Sequence, residues 1–152
     1  MYCTLDDLIE AKDRRTIAQL SCDDSNPNEP DENVVELNIV KACNIIDSYI
    51  GGRYKIPLRG TVPGIIKNCA VDIAVYSLYT RRNREISKES AVYLDYQAAM
   101  QILTRISEKK MSLVGVEEVG SHVSNGIIKT NKKPQDRYFN QFRMRGYGGI
   151  WN

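Results

Sequence analysis

Apolar positions along this chain recur mostly at the three-to-four spacing of helices with one buried face. Thr4 precedes Leu5-Asp6-Asp7-Leu8-Ile9-Glu10, a hydroxyl cap followed by acids that the helix dipole favours in a first turn. A second short helix is predicted from about Asp13 to Leu20, with Ile17, Ala18 and Leu20 apolar. Residues 22–31 are turn formers with two prolines, hence a loop. Asp31 then caps a long helix whose inner face reads Val35, Ile39, Ala42, Cys43, Ile46, Tyr49 and Ile50, and Gly51-Gly52 stops it.

Residues 53–60 form an extended connector, because the residue before a proline, here Ile56 before Pro57, is disfavoured in helix. Thr61 is predicted to open the next helix, with Pro63 in the first turn, where its missing N–H costs little. The stripe is Val62, Ile66, Cys69, Ala70, Ile73 and Tyr76, ending near Arg82. After a turn at 83–86, Ser87 is predicted to cap a last long helix reaching about Lys109. Its expected core face is Ala91, Leu94, Ala98, Ala99, Ile102, Leu103 and Ile106, and Lys109 and Lys110 suit its C-terminal end.

From Met111 helical periodicity stops, and residues 111–152 hold six of the ten glycines. Asn125-Gly126, between Val123 and Ile127-Ile128, is the signal of a type I′ β-hairpin. Such a hairpin is marginal alone and needs a surface to lean on. The end of the chain concentrates Tyr138, Phe139, Phe142, Arg143, Met144, Arg145, Tyr147 and Trp151 on a glycine-rich backbone. These residue types are enriched at the centres of protein interfaces, which suggests an arm that orders against a partner. The other reading is that the segment folds back to complete its own core. The predicted fold is therefore mainly α: a small bundle of two short N-terminal and three longer helices over residues 1–113. Residues 114–152 form an extended C-terminal arm with the hairpin signal and an aromatic-basic end.

Composition is that of an ordinary globular chain of 152 residues, 42% hydrophobic and 26% charged. Its uncharged apolar runs fall far short of the roughly 18 residues of a membrane span. The opening residues lack a basic stretch before an apolar one, so no signal peptide is expected and a cytosolic chain is the default. The net charge of +2 conceals an asymmetry. Residues 1–50 carry 4 basic and 11 acidic side chains, residues 51–115 carry 11 and 5, and residues 116–152 carry 6 and 3. An acidic start and a basic remainder suit contact between copies or with charged neighbours.

Candidate chemistry is sparse. Cys3, Cys22, Cys43 and Cys69 are spaced by 19, 21 and 26 residues, without the close pairs of a zinc site, so four reduced thiols without a chemical task are expected. The single histidine, His122, has no acid at an obvious spacing, and the C-terminal glycines neither follow a strand nor open a helix. A non-enzyme without a metal or cofactor is the expectation. Asp72, among Ala70, Ile73 and Ala74, lies on or near a buried face and calls for a partner. Arg53 is the predicted one and Arg81 the other candidate, the alternative being a solvated carboxylate at the stripe's edge.

The stretch Ile46-Asp47-Ser48-Tyr49-Ile50-Gly51-Gly52-Arg53-Tyr54-Lys55-Ile56-Pro57-Leu58, followed by Val62-Pro63 and by residues 69–79, is the most specific on the chain. Together with Met1-Tyr2 and residues 4–9 it resembles the small head-completion proteins of Mu-like phages, a family similar to the head–tail connector (adaptor) proteins of other long-tailed phages. The resemblance covers residues 1–113, and Phe142–Tyr147 resembles the family's basic-aromatic end; the stretch from 120 to 135 is outside it. It implies an all-α body whose copies form a ring, commonly a dodecamer, between the portal protein and a tail-ward connector or tail-terminator protein. DNA would pass through that ring without sequence recognition, since contacts to phosphate carry no base information. It also implies a virion location at the neck, host cytoplasm before assembly, and a structural motif made of Asp47, Gly51, Gly52, Arg53, Tyr54, Pro57, Pro63 and Asp72. The competing class is a nucleic-acid-binding module that uses the basic aromatic tail.

Overall fold

The computed structural model describes residues 1–24, 27–58, 60–82 and 86–119. Five helices follow in order: α1 (Leu5–Lys12), α2 (Arg14–Ser21), α3 (Glu32–Ile50), α4 (Gly64–Arg82) and α5 (Ala91–Ser107). The mainly α expectation holds, and the described residues contain no strand, only an antiparallel bridge between Tyr54 and Glu118. The hairpin predicted around Asn125-Gly126 and the aromatic-basic end lie outside the described residues. One compact unit spans Met1–Gly120, so residues 114–119 belong with the helical body rather than with the arm.

Local chemistry sets the helix starts. Thr4 and Asp7 make a reciprocal capping box: the Asp7 N–H donates to the Thr4 hydroxyl at 3.4 Å, and the Thr4 N–H donates to the Asp7 carboxylate at 2.9 Å. Asp31 accepts from the Asn33 and Val34 N–H groups at the head of α3. Between α1 and α2 the chain turns at Asp13, whose φ of 68° lies in the left-handed region.

Three boundaries differ from the prediction. Helix α4 starts after Pro63 rather than at Thr61, and the Pro63 carbonyl accepts from Ile66 and Lys67. Ser90, not Ser87, caps α5 by accepting from the Tyr93 N–H; the Ser87 carbonyl instead closes a turn with the Ser90 N–H at 3.0 Å. Helix α5 ends at Ser107, and Lys109 adopts a left-handed φ of 62° just beyond it.

Helix α4 is the centre of the body. It packs along α3 on one side and α5 on another, and α1 and α2 lean on it as well. Burial therefore covers much of its circumference: Val71, Ala74, Val75 and Leu78 are buried in addition to the predicted stripe. Ala70 and Ala74 let the neighbouring helices approach closely. One polar tie crosses this core, where the Ser77 hydroxyl donates to the Asn38 side-chain carbonyl at 2.7 Å while the Asn38 amide donates to the Val34 carbonyl. Every buried side-chain polar atom among the described residues has a partner.

Helix α5 departs most from its predicted packing. Ala99, Leu103 and Ile106 are buried as expected, but Ala91, Leu94 and Ala98 are exposed, Leu94 by 52%. The apolar spacing is real; the chain supplies no neighbour among the described residues to cover that half of the stripe.

Candidate functional site

The end of α3 and the connector behind it form the most densely bonded region of the described body. Helix α3 ends at Ile50, as the Gly51-Gly52 pair predicted, and Gly51 itself keeps a right-handed backbone (φ −63°, ψ −22°). A side-chain carbon at Gly51 would sit 2.8 Å from the Asp47 carbonyl oxygen and 3.0 Å from Ile56 Cδ1. Close approach, not turn conformation, selects glycine at 51.

Arg53 and Tyr54 hold the connector to the far end of α5. The Tyr54 ring is fully buried, and its hydroxyl accepts from the Leu113 N–H at 2.8 Å. The Arg53 guanidinium lies 5.1 Å from the centre of that ring. Its Nε and Nη2 both donate to Glu118, at 2.9 and 2.7 Å. Its Nη1 donates to the carbonyls of Met111 at 2.6 Å and Ile106 at 3.3 Å, and Nη2 also reaches the Ser112 hydroxyl. Arginine suits this position because its planar fork presents five donors at once. One of those acceptors, the Ile106 carbonyl, belongs to the last turn of α5, where it also accepts from the Lys109 N–H at 3.2 Å. Backbone bonds from Lys55 N–H to the Glu117 carbonyl and from Val119 N–H to the Arg53 carbonyl complete the clasp.

Asp47 lies on the other flank of the junction. The Tyr2 hydroxyl donates to its carboxylate and accepts from the Leu58 N–H, which ties the start of the chain to the connector. Burial, reinforced by Asp47, pushes the Tyr2 phenol well above its ordinary value. Pro57, exposed on the connector, follows a cis bond from Ile56, and Pro63 sits at the head of α4. Asp47, Gly51, Arg53, Tyr54 and Pro57 thus share one junction.

Asp72 does not join it. Arg53 is taken up by Glu118 and the α5 end, and Arg81 pairs with Asp23 at 2.9 Å, so neither predicted partner holds Asp72. Asp72 instead faces Asp95 of α5 and Lys12 of α1, which themselves form an ion pair at 3.8 Å. Burial raises its carboxyl to about 6, Asp95 adds to the rise and Lys12 opposes it. The reading as a half-solvated carboxylate at the edge of the stripe is the closer one.

No group of His, Cys, Asp and Glu side chains among the described residues is arranged to hold a metal ion. Cys3, Cys43 and Cys69 are buried free thiols, and burial pushes Cys3 up to about 12 and Cys69 up to about 11, far from a reactive thiolate. Among the described residues, no helix is long and apolar enough to cross a membrane. His122 and the predicted arm residues Tyr138, Phe139, Phe142, Arg143, Met144, Arg145, Tyr147 and Trp151 lie outside the described residues. Sequence reasoning missed Tyr2, Ser112 and Glu118, whose partners lie 45 to 65 positions away.

The pattern of the family described as Bacteriophage Mu, Gp36 matches residues 2–127. The chain belongs to this family. The match takes in the whole helical body and the clasp, and it reaches into the stretch after Gly120 that the sequence resemblance left out. A curated relative, the Mu-like prophage FluMu protein gp36 of Haemophilus influenzae, is 32% identical over 83 residues. That similarity spans 55% of this chain and 55% of the relative, so the chain covers about half the length of the protein it matches. Membership of the Gp36 family makes this a protein of Mu-type phages and prophages.

Proposed function

We propose that this Gp36-family chain is a structural virion protein, one subunit of the head–tail connector ring that lies between the portal protein and the tail. The resemblance of the Gly51–Leu58 junction to small head-completion proteins supports the reading. The observation that carries it is the surface of α5. Ala91, Leu94 and Ala98 keep the spacing of a buried helical stripe, yet lie exposed on a body whose buried side-chain polar atoms, among the described residues, all have partners. An apolar face held open on a rigid body is a surface made for assembly.

In this reading the protein is not an enzyme and uses no cofactor. Its clasp keeps the connector and the α5 end at fixed positions, so that every copy presents the same surfaces. Other copies of the chain, the portal protein and a tail-ward connector or tail-terminator protein cover those surfaces. DNA passes the ring through phosphate contacts alone. The protein resides in the host cytoplasm before assembly and at the particle neck afterwards.

Particles purified with and without the gene provide the test by negative-stain imaging, together with immunogold labelling of the protein. Loss is expected to leave filled or leaking heads without tails, with label at the neck of intact particles. Normally tailed particles in its absence overturn the reading. The aromatic-basic C-terminal segment favours a second reading, a nucleic-acid-binding module. Salt-dependent DNA binding by the isolated full chain supports that one, and lack of binding near physiological salt removes it.

A further inference from the structure

Two helices of the described body carry exposed runs at the spacing of a helix–helix seam. On α5 these are Ala91, Leu94, Ala98, Gln101 and Arg105, all exposed and separated alternately by three and four residues. On α3 they are Asn33, Leu37, Val40 and Asn44, spaced by four, three and four; Leu37 is 62% and Val40 38% exposed. A run of this kind is a single ridge along one side of a helix, and its centre on each helix is apolar. The two differ in relief: α3 offers two branched side chains, whereas α5 offers one leucine between two alanines. A ridge of large side chains beside a row with small ones is the geometry that ridge-into-groove packing uses.

The charges flanking the two runs are complementary in one orientation only. Glu32 and Glu36 stand at the N-terminal end of the α3 run and Lys41 toward its other end. Arg105 and Lys109 stand at the C-terminal end of α5, with Glu89 and Asp95 near its start, Asp95 also paired with Lys12 of its own chain at 3.8 Å. Glu32, Glu36, Lys41, Arg105 and Lys109 have no ion-pair partner among the described residues, unlike Asp7, Asp23 or Glu118, which are each held by a base. Laid antiparallel, with Leu37 over Ala98 and Val40 near Leu94, the α3 acids meet Arg105 and Lys41 meets the acids at the start of α5. Laid parallel, acids would meet acids. The division of the whole chain into an acidic first third and a basic remainder works in the same direction.

We infer that the exposed face of α3 on one copy docks antiparallel on the exposed face of α5 of a second copy. The inference deepens the connector reading and rests on it. The two surfaces are different, so the contact is heterologous: each copy uses α3 on one side and α5 on the other, and repetition closes a ring if the rotation permits. Two short helix faces are smaller than the roughly 1,200–2,000 Å² of a stable interface, so the contact is weak in solution and gains strength when copies are gathered.

Disulfide trapping in the full-length chain tests this. In a Cys22→Ser background, which leaves only the buried native thiols, one protein carries Leu37→Cys and another Ala98→Cys. Both sites are exposed, so folding is preserved, and thermal melting verifies it. The two are mixed at high concentration, oxidised gently, and the linked peptides identified by mass spectrometry. The mixed 37–98 pair is expected to exceed the two like pairs by about tenfold, the ratio that ~1.4 kcal/mol of preference gives. Arg105→Glu in the Ala98→Cys chain is expected to lower that yield, and Glu36→Arg in the Leu37→Cys chain to restore it, a rescue that a merely random collision does not show. Like pairs in equal or greater amount, a yield insensitive to the charge reversals, or no disulfide at all overturns the contact. The neck labelling above is independent of it: label at the neck without a 37–98 pair removes this contact and keeps the connector reading, and the pair without neck label does the opposite.

Discussion

The junction around Arg53 and the outer face of α5 are opposites in how the chain satisfies itself. At the junction, one guanidinium serves a carboxylate, two carbonyls and a hydroxyl, and the tyrosine beside it is sealed from solvent. On the outer face of α5, a leucine and two alanines at core spacing face water. Both lie on the part of the chain that the Gp36 family pattern matches. The difference separates two tasks: the junction makes the body one rigid piece, and the α5 face is left for another surface to complete. Changes at the junction should therefore appear in stability, and changes on α5 in association.

The largest effect is expected from Tyr54→Ala. It empties a fully buried aromatic site and leaves the Leu113 N–H without its acceptor, which should cost about 3–5 kcal/mol in chemical denaturation. Next is Arg53→Met, which keeps the apolar stem but removes the fork. With the side chain only 13% exposed, about 1–3 kcal/mol should be lost as the Met111 carbonyl loses its donor and the Ile106 carbonyl keeps only backbone partners. A loss equal to that of a surface substitution would mean that the clasp contributes little rigidity.

Asp72 gives a smaller effect of opposite sign. Its carboxyl is raised in the folded chain to about 6 from 3.8, so the folded state holds the proton more tightly than the unfolded one. Stability on this account is fully present below about pH 4 and declines as pH rises through about 6. Asp72→Asn should therefore stabilise the protein at neutral pH and leave it unchanged near pH 4. Because the side chain is half in solvent, screening holds the gain to about 1 kcal/mol or less. Melting curves at the two pH values check it; destabilisation at neutral pH would instead reveal a partner that the ionised carboxylate needs.

The smallest effect on stability belongs to Leu94→Ser. An exposed position away from any cap or network should shift unfolding by no more than about 0.5 kcal/mol. If the same substitution leaves particle assembly unchanged, the contrast between the two regions is lost.

Much of the helical body was legible from sequence, for reasons that are local. Thr4 and Asp31 were recognisable as caps because a cap bonds to N–H groups within three residues of itself. The α3 stripe was legible because a helix with one buried face repeats its own period. Half of the buried residues of α4 were not, since a helix packed on several sides no longer shows one stripe. Ser87 and Ser90 carry the same side chain three residues apart, and only the turn that the Ser87 carbonyl closes decides between them.

The sequence by itself determined that this chain is mainly helical, where its long helices begin and end to within a few residues, and that its 46–58 segment is distinctive. It also showed that Ala91, Leu94 and Ala98 share a side of α5, but periodicity states only which residues point together, not what they meet. Only the tertiary structure decided that Arg53 reaches Glu118 rather than Asp72, and that half of the α5 stripe stays open. The physical reason is range. Caps and stripes are settled within one or two helical turns, whereas a bond between residues 65 positions apart, or the lack of a covering neighbour, depends on how whole helices cross.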